Sequence, residues 1–403
     1  MQVQNPTQAQ TNKLQQLNLW DRVKAARWFW MSALIFSVTR LGVFLIAYLG
    51  APLINDQSGT LYHLRPPDNV VLDVLGSRWD TGFYVSIAEE GYKYEGVSLP
   101  SVAFFPLLPL IMRAVMSLGV DAVVAGVWIT NLALLVGTIL FYRLVEMEWG
   151  QPVADRAIWY FLIFPTSFFG SAIYTESPFL ICAIGALYFA RRGYWESAGL
   201  LGIFATLSRL IGLLVAPLLL IEWWMQHRKP LIKRPALWTF VAPALAPMGT
   251  FAYMAYLWRT FGDPLAFIHA SAAWGREPST PWTMIGELFA TPAGGWGAAL
   301  SAGFVHLDNW MDFLFVISFL GMGIVLLFQK RWSEGAFVTL GALIPLFSGL
   351  LMSQRRYMWA LFPVFILLAR WGEQTWIDRL LTVLFLTGLA LFTVLFANGY
   401  WVA

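Results

Sequence analysis

Long apolar stretches separated by short basic segments run through nearly the whole chain, and they constrain it more than any other feature. Backbone polar groups cannot be left unpaired in hydrocarbon, so stretches of this length and composition must be helices packed in a bilayer. The hydropathy pattern predicts spans at 28–50, 122–143, 157–175, 177–191, 197–209, 210–226, 236–258, 310–329, 335–353, 356–370 and 379–400. Hydrophobic residues make up 58% of the 403 residues and charged residues only 12%, half the share of a typical soluble domain. The expected fold is an all-α integral membrane bundle of about eleven transmembrane helices, with no separate soluble domain. The first 27 residues read as a cytoplasmic tail, and 28–403 as one polytopic domain.

The segment 101-SVAFFPLLPLIMRAVMSLG-119 is apolar but short, with two prolines and Arg113, and it reads as an amphipathic helix on the membrane surface. Charge supports that choice. With the N-terminus inside, the tail, 143–156, 191–196, 226–235, 329–334 and 370–379 face the cytoplasm and hold 16 of the 26 basic residues. The two long outer loops, 51–121 and 259–309, hold six. Making 101–119 a span would put 227-HRKPLIKR-234 outside. The lone Cys182 excludes an intrachain disulfide and a thiolate cluster. No phosphate loop, zinc-protease motif or nucleic-acid module is present.

On this topology Asp80, Glu176, Arg209, Arg355 and Arg356 all fall at the outer ends of spans or in the first outer loop. Spans 177–191 and 197–209 are shorter than the roughly 20 residues that cross hydrocarbon, so their outer ends should stop below the surface and line a polar cavity. Ionisable residues there are functional-site candidates because burying them unpaired is costly. The plainer account of Glu176 and Arg209 is a structural ion pair. In 79-WDTGFYVSIAEEGY-92, Asp80 reads equally as the N-cap of a short helix closed by Gly91, or as a general base above the cavity. The arginines of 353-SQRRY-357 suit phosphate, and interfacial snorkelling is their structural alternative. His269, in 262-GDPLAFIHASAAWGR-276, is more simply structural than catalytic.

The stretches WDTGFYVSIAEEGY, AFFPLLPLI, FPTSFFGSAIYTESPF, LSRLIGL and SQRRYMWALFP stand in the order found in PIG-V-type mannosyltransferases, the family of the GPI second mannosyltransferase and its prokaryotic relatives. The resemblance covers about residues 28–370. It implies a GT-C fold with a large first outer loop, and inverting transfer of mannose from a polyprenyl-phosphate carrier to a glycolipid or other membrane-associated acceptor outside the cytoplasm. Asp80 matches the motif aspartate taken as base and Glu176 the acidic residue of the TESP segment. Arg209, Arg355 and Arg356 match basic positions near the lipid phosphate. Trp79 and Tyr92 would offer aromatic faces to the sugar or, equally, serve as interfacial anchors, with His269 on the neighbouring loop. No dedicated metal site is visible, and a divalent cation bridging Asp80, Glu176 and phosphate stays an open alternative. The rival reading is a transporter or flippase of a lipid-linked saccharide. A third is a non-catalytic subunit of a larger complex. The charges gather at one face, not at the midplane, and no internal repeat is visible, which favours the enzyme.

Overall fold

The computed structural model describes residues 26–53, 70–228, 236–291, 294–301 and 307–402; the expected tail up to residue 25, part of the first outer loop and most of 227-HRKPLIKR-234 lie outside these. The described residues form helices and no strand. Arg27–Gly50, Ala122–Trp149, Leu210–His227, Asp308–Phe328 and Thr375–Ala397 are long and apolar enough to cross a membrane singly. The pair Leu237–Leu245 and Met248–Phe261, bent by 42° at a break that includes Pro247, makes a sixth apolar element, a broken span or a re-entrant loop. Large exposed side chains such as Leu34, Leu41, Trp128, Leu132, Val383 and Leu384 cover these helices on the outside. That is the surface expected of a multi-pass membrane protein, which has lipid for a solvent.

Three expected spans are not continuous helices. The stretch 157–175 is the second half of helix Gln151–Ile163 followed by irregular chain with one 3₁₀ turn, Ser167–Gly170. Pro165 cannot continue the helix, and the carbonyls it leaves open need donors. Arg40, fully buried on Arg27–Gly50, supplies them: it donates to the Leu162 carbonyl and to the Ser167 carbonyl at 2.9 Å. Trp359 Nε1 donates to the Phe161 carbonyl at 2.8 Å, and Asn131 donates to the Ser171 carbonyl at 3.3 Å. Irregular backbone is tolerated at membrane depth where protein satisfies it in this way. The stretch 356–370 divides into Gln354–Trp359 and Pro363–Trp371, because Pro363 starts its own helix. Likewise, 335–353 is helical only over Trp332–Leu343 and a 3₁₀ turn to Phe347, ending before Ser353 at φ 74°.

The surface helix is Leu107–Met116, with Leu110 and Ile111 exposed and Leu108 and Met112 buried. Arg113 reaches back to the Ala88 and Ile87 carbonyls at 2.8 and 3.0 Å. It thereby satisfies the C-terminal end of helix Thr81–Glu90.

Helix Glu176–Arg191 places its two terminal charges about 24 Å apart, at 1.5 Å per residue. At the Arg191 end, Arg191 and Arg331 both meet Glu148, at 3.1 and 2.8 Å. Glu222 and Glu334 join them. Arg156 meets Glu373, and Arg370 meets Gln329. Among the described residues, the segments 143–156, 191–196, 329–334 and 370–379 therefore share one end of the bundle, as the charge pattern requires. Glu176 lies at the opposite end, less than one hydrocarbon thickness away, which is about 30 Å.

Candidate active site

At that opposite end four charged side chains from four separate parts of the sequence converge. Arg356 Nη1 donates to Asp80 Oδ2 at 2.9 Å, and its Nε lies 3.3 Å from Glu176 Oε1. Arg209 is paired with the same Glu176 oxygen. Each position has a local cause. Glu176 opens its helix, where the helix dipole favours a carboxylate. Helix Trp195–Ser208 stops at Arg209, whose backbone is extended before the next turn begins, so its side chain is released towards Glu176. Arg356 is gripped by Phe169, Tyr174 and Tyr357, whose ring centres lie 5.0–5.3 Å from its guanidinium carbon.

Asp80 does not act as an N-cap. Its backbone is already helical, at φ −59° and ψ −20°, and its side chain makes no capping bond because it is turned to Arg356. Trp79, directly before it, is in the left-handed region at φ 53°, a strained setting for a large side chain. The Asp80 amide donates to the Tyr174 hydroxyl at 3.2 Å, which pins the strained turn to the segment leading into Glu176. Tyr84, one turn on, meets the Thr175 hydroxyl at 3.3 Å. Burial pushes its own hydroxyl pKa up, and the carboxylates of Asp80 and Glu176 add to this, so it stays neutral.

Two residues absent from the expected site complete it. Arg276 Nη2 and Arg356 Nη2 both donate to the Tyr357 hydroxyl, at 3.1 and 3.3 Å, and the Arg209 guanidinium lies 5.0 Å from the Tyr357 ring centre. Both had a sequence signal: Tyr357 ends SQRRY, and Arg276 ends GDPLAFIHASAAWGR. Three guanidinium groups thus gather around Tyr357, and two of them, Arg209 and Arg356, also pair with the two carboxylates. Accessibility is graded across the group: the Asp80 side chain is 18% exposed, Arg209 12%, Arg356 6% and Glu176 1%. Asp80 stands at the mouth and Glu176 at the floor.

The remaining expected residues are placed elsewhere. Arg355 is sequestered by aspartates: its Nε and amide donate to Asp312 at 2.9 and 2.8 Å, and its Nη2 donates to Asp308 at 3.0 Å. Adjacent residues on a helix point about 100° apart, so Arg355 and Arg356 serve different neighbours. Trp79 meets Trp401 edge-on at 4.8 Å. Tyr92 donates to the Phe104 carbonyl at 2.9 Å and packs on Tyr253. His269, on an exposed turn, has Nδ1 2.7 Å from Asp263 Oδ2. Among the described residues no three His, Cys, Asp or Glu side chains converge as metal ligands, and both carboxylates of the site already face guanidinium groups. That donor set does not fit the bridging cation, and no step is assigned to one.

One known structure shows the same fold, and others are similar to it. The apo form of ArnT from Cupriavidus metallidurans matches at 13% identity and a TM-score of 0.50, over 92% of this chain and 77% of that one. The same protein bound to undecaprenyl phosphate matches at 12% and 0.48, over 92% and 76%. An Archaeoglobus fulgidus oligosaccharyltransferase crystallised with Zn and sulfate matches at 11% and 0.43, over 91% and 53%. No curated protein sequence matches. The chain shares the membrane-embedded helical fold of the apo ArnT protein. Residues 67–257 match the family described as mannosyltransferase (PIG-V), and this region holds Asp80, Glu176 and Arg209, so the resemblance read from the motifs holds.

Proposed function

We propose that the protein transfers a hexose, mannose by the description of its family region, from a polyprenyl-phosphate carrier to a hydroxyl of a membrane-associated acceptor, with inversion at the anomeric carbon. The observation that carries this reading is the shared guanidinium: Arg356 sits between the accessible carboxylate of Asp80 and the buried one of Glu176.

The clustered guanidinium groups of Arg209, Arg276 and Arg356 suit these arginines to binding an arriving phosphate diester. Arg356 drawn to the phosphate would loosen its hold on Asp80, so donor binding unmasks the base. Asp80 then takes the proton of the acceptor hydroxyl, and that oxygen bonds to the anomeric carbon. The bond from that carbon to the phosphate oxygen breaks, and the polyprenyl phosphate leaves as an anion held by the arginines. One attack at one carbon inverts it. Glu176, deep and doubly paired, positions Arg209 and Arg356. The depth of the site lets a phosphate sit near the interface while its tail remains in lipid. The basic-segment bias supports a site on the extracytoplasmic face of the cell membrane, with the N-terminus inside.

Purified protein in nanodiscs, given radiolabelled polyprenyl-phosphate mannose and a membrane glycolipid extract, should move label to glycolipid, and the Asp80→Asn variant should not. Donor binding without turnover across a panel of lipid-phosphate sugars would refute the transferase and favour a carrier.

A further inference from the structure

A cavity lies beyond the other end of the helix that Asp80 precedes. Gly91, at φ 94°, stops helix Thr81–Glu90 and turns the chain outward. Between the emerging residues and the end of helix Met248–Phe261 is an open cavity of about 470 Å³, within the size range of small-ligand sites. Tyr92, Tyr94 and Phe261 give it aromatic walls, and Lys93, Glu95 and Thr260 give it an ammonium, a carboxylate and a hydroxyl.

The walls are held in place. Tyr94 and Phe261 meet edge-on at 5.8 Å, and the Tyr94 hydroxyl donates to Asp263 Oδ2 at 2.8 Å. Asp263 is fixed in turn by His269 and by the Leu265 amide at 2.9 Å. This bridge joins the first outer loop to the second beside the cavity.

Aromatic faces mixed with both signs of charge and a hydroxyl match a saccharide, whose C–H faces lie on rings and whose hydroxyls both donate and accept. An apolar ligand would desolvate Lys93 and Glu95 without return, and a polyanion would meet Glu95. The ten-residue helix puts the cavity about 15 Å from Asp80. We propose that the cavity binds a sugar of a glycan-headed acceptor, remote from the hydroxyl that is glycosylated. This rests on the transferase reading, and it makes the protein select acceptors with an extended glycan.

Val97 also lines the cavity, and saturation-transfer NMR with methyl α-mannoside and with mannotetraose tests binding directly, on the wild type, Thr260→Trp and Val97→Trp. Either indole should fill the cavity. The expected result is a mannotetraose signal at least fivefold weaker in both variants at unchanged melting temperature. Equal signals in all three proteins would overturn the proposal, whatever the turnover. In the transfer assay, either variant should raise the ratio of KM for long-glycan acceptors to KM for single-sugar acceptors by fivefold or more. Wild-type transfer with that ratio unmoved sinks the subsite and leaves the transferase standing. Absence of wild-type transfer sinks the transferase, while the NMR comparison still decides the cavity.

Discussion

Asp80 and Arg356 lie 276 positions apart in the sequence, yet their side chains meet at 2.9 Å, and the same guanidinium leans on Glu176 from its other edge. One cation therefore couples the most accessible acid of the site to the least accessible one. Its partners can be separated by substitution.

Asp80 carries no cap, so replacing it should leave the helix Thr81–Glu90 largely unaffected. Asp80→Asn and Asp80→Ser should both cut transfer by about 10²–10⁴-fold, the usual contribution of a general base. The melting temperature should change little, since Arg356 keeps Glu176. Were serine to retain activity, the side chain would be doing no chemistry.

Glu176→Gln separates positioning from proton transfer. The neutral amide no longer competes with phosphate for Arg209 and Arg356, so the donor KM should hold or fall. The loosened arginines should lower kcat tenfold or more. A donor KM that rises with kcat intact would mean that Glu176 contacts the donor itself.

Arg355 should behave unlike its neighbour. Arg355→Met leaves Asp312 buried without its cation, and breaking such a pair from one side costs about 3 kcal/mol or more. Arg355→Met combined with Asp312→Leu should regain most of that loss in thermal unfolding. Arg356→Lys should instead unfold near the wild-type temperature and lose donor affinity, because lysine cannot reproduce the planar fork.

How much of this was legible in sequence depends on what each residue meets. The Lys and Arg bias of the short loops predicted that 143–156, 191–196, 329–334 and 370–379 share an end, because basic residues flanking a span are retained on one side of the membrane. Glu176 and Arg209 could be paired because each ends a short apolar stretch. The roles of Arg355 and Arg356 could not be told apart, since they are adjacent and their partners, Asp312 and Asp80, lie 43 and 276 positions away. Asp80 looked like a cap because capping is a local rule, and a distant arginine overrode it. The break at Pro165 was hidden by hydropathy, which registers the apolar FPTSFF run but not the Arg40 side chain that lets it unwind.

The bridge between the outer loops predicts a pH dependence. The bond from His269 is the chief cause holding the Asp263 carboxyl below its usual range, and Tyr94 and the Leu265 amide add to it. A carboxyl lowered by folding stabilises the fold above its unfolded pKa, near 3.9, and that contribution disappears as pH falls through the lower folded value. Asp263→Asn should therefore melt below the wild type at neutral pH, and the gap should close once pH drops beneath about 3.9. Since Tyr94 walls the cavity, the variant should also weaken mannotetraose binding at neutral pH, measured by the same NMR signal. A gap between the two proteins that stays constant from pH 7 to pH 3 would show that the carboxylate charge plays no part in holding the loops together.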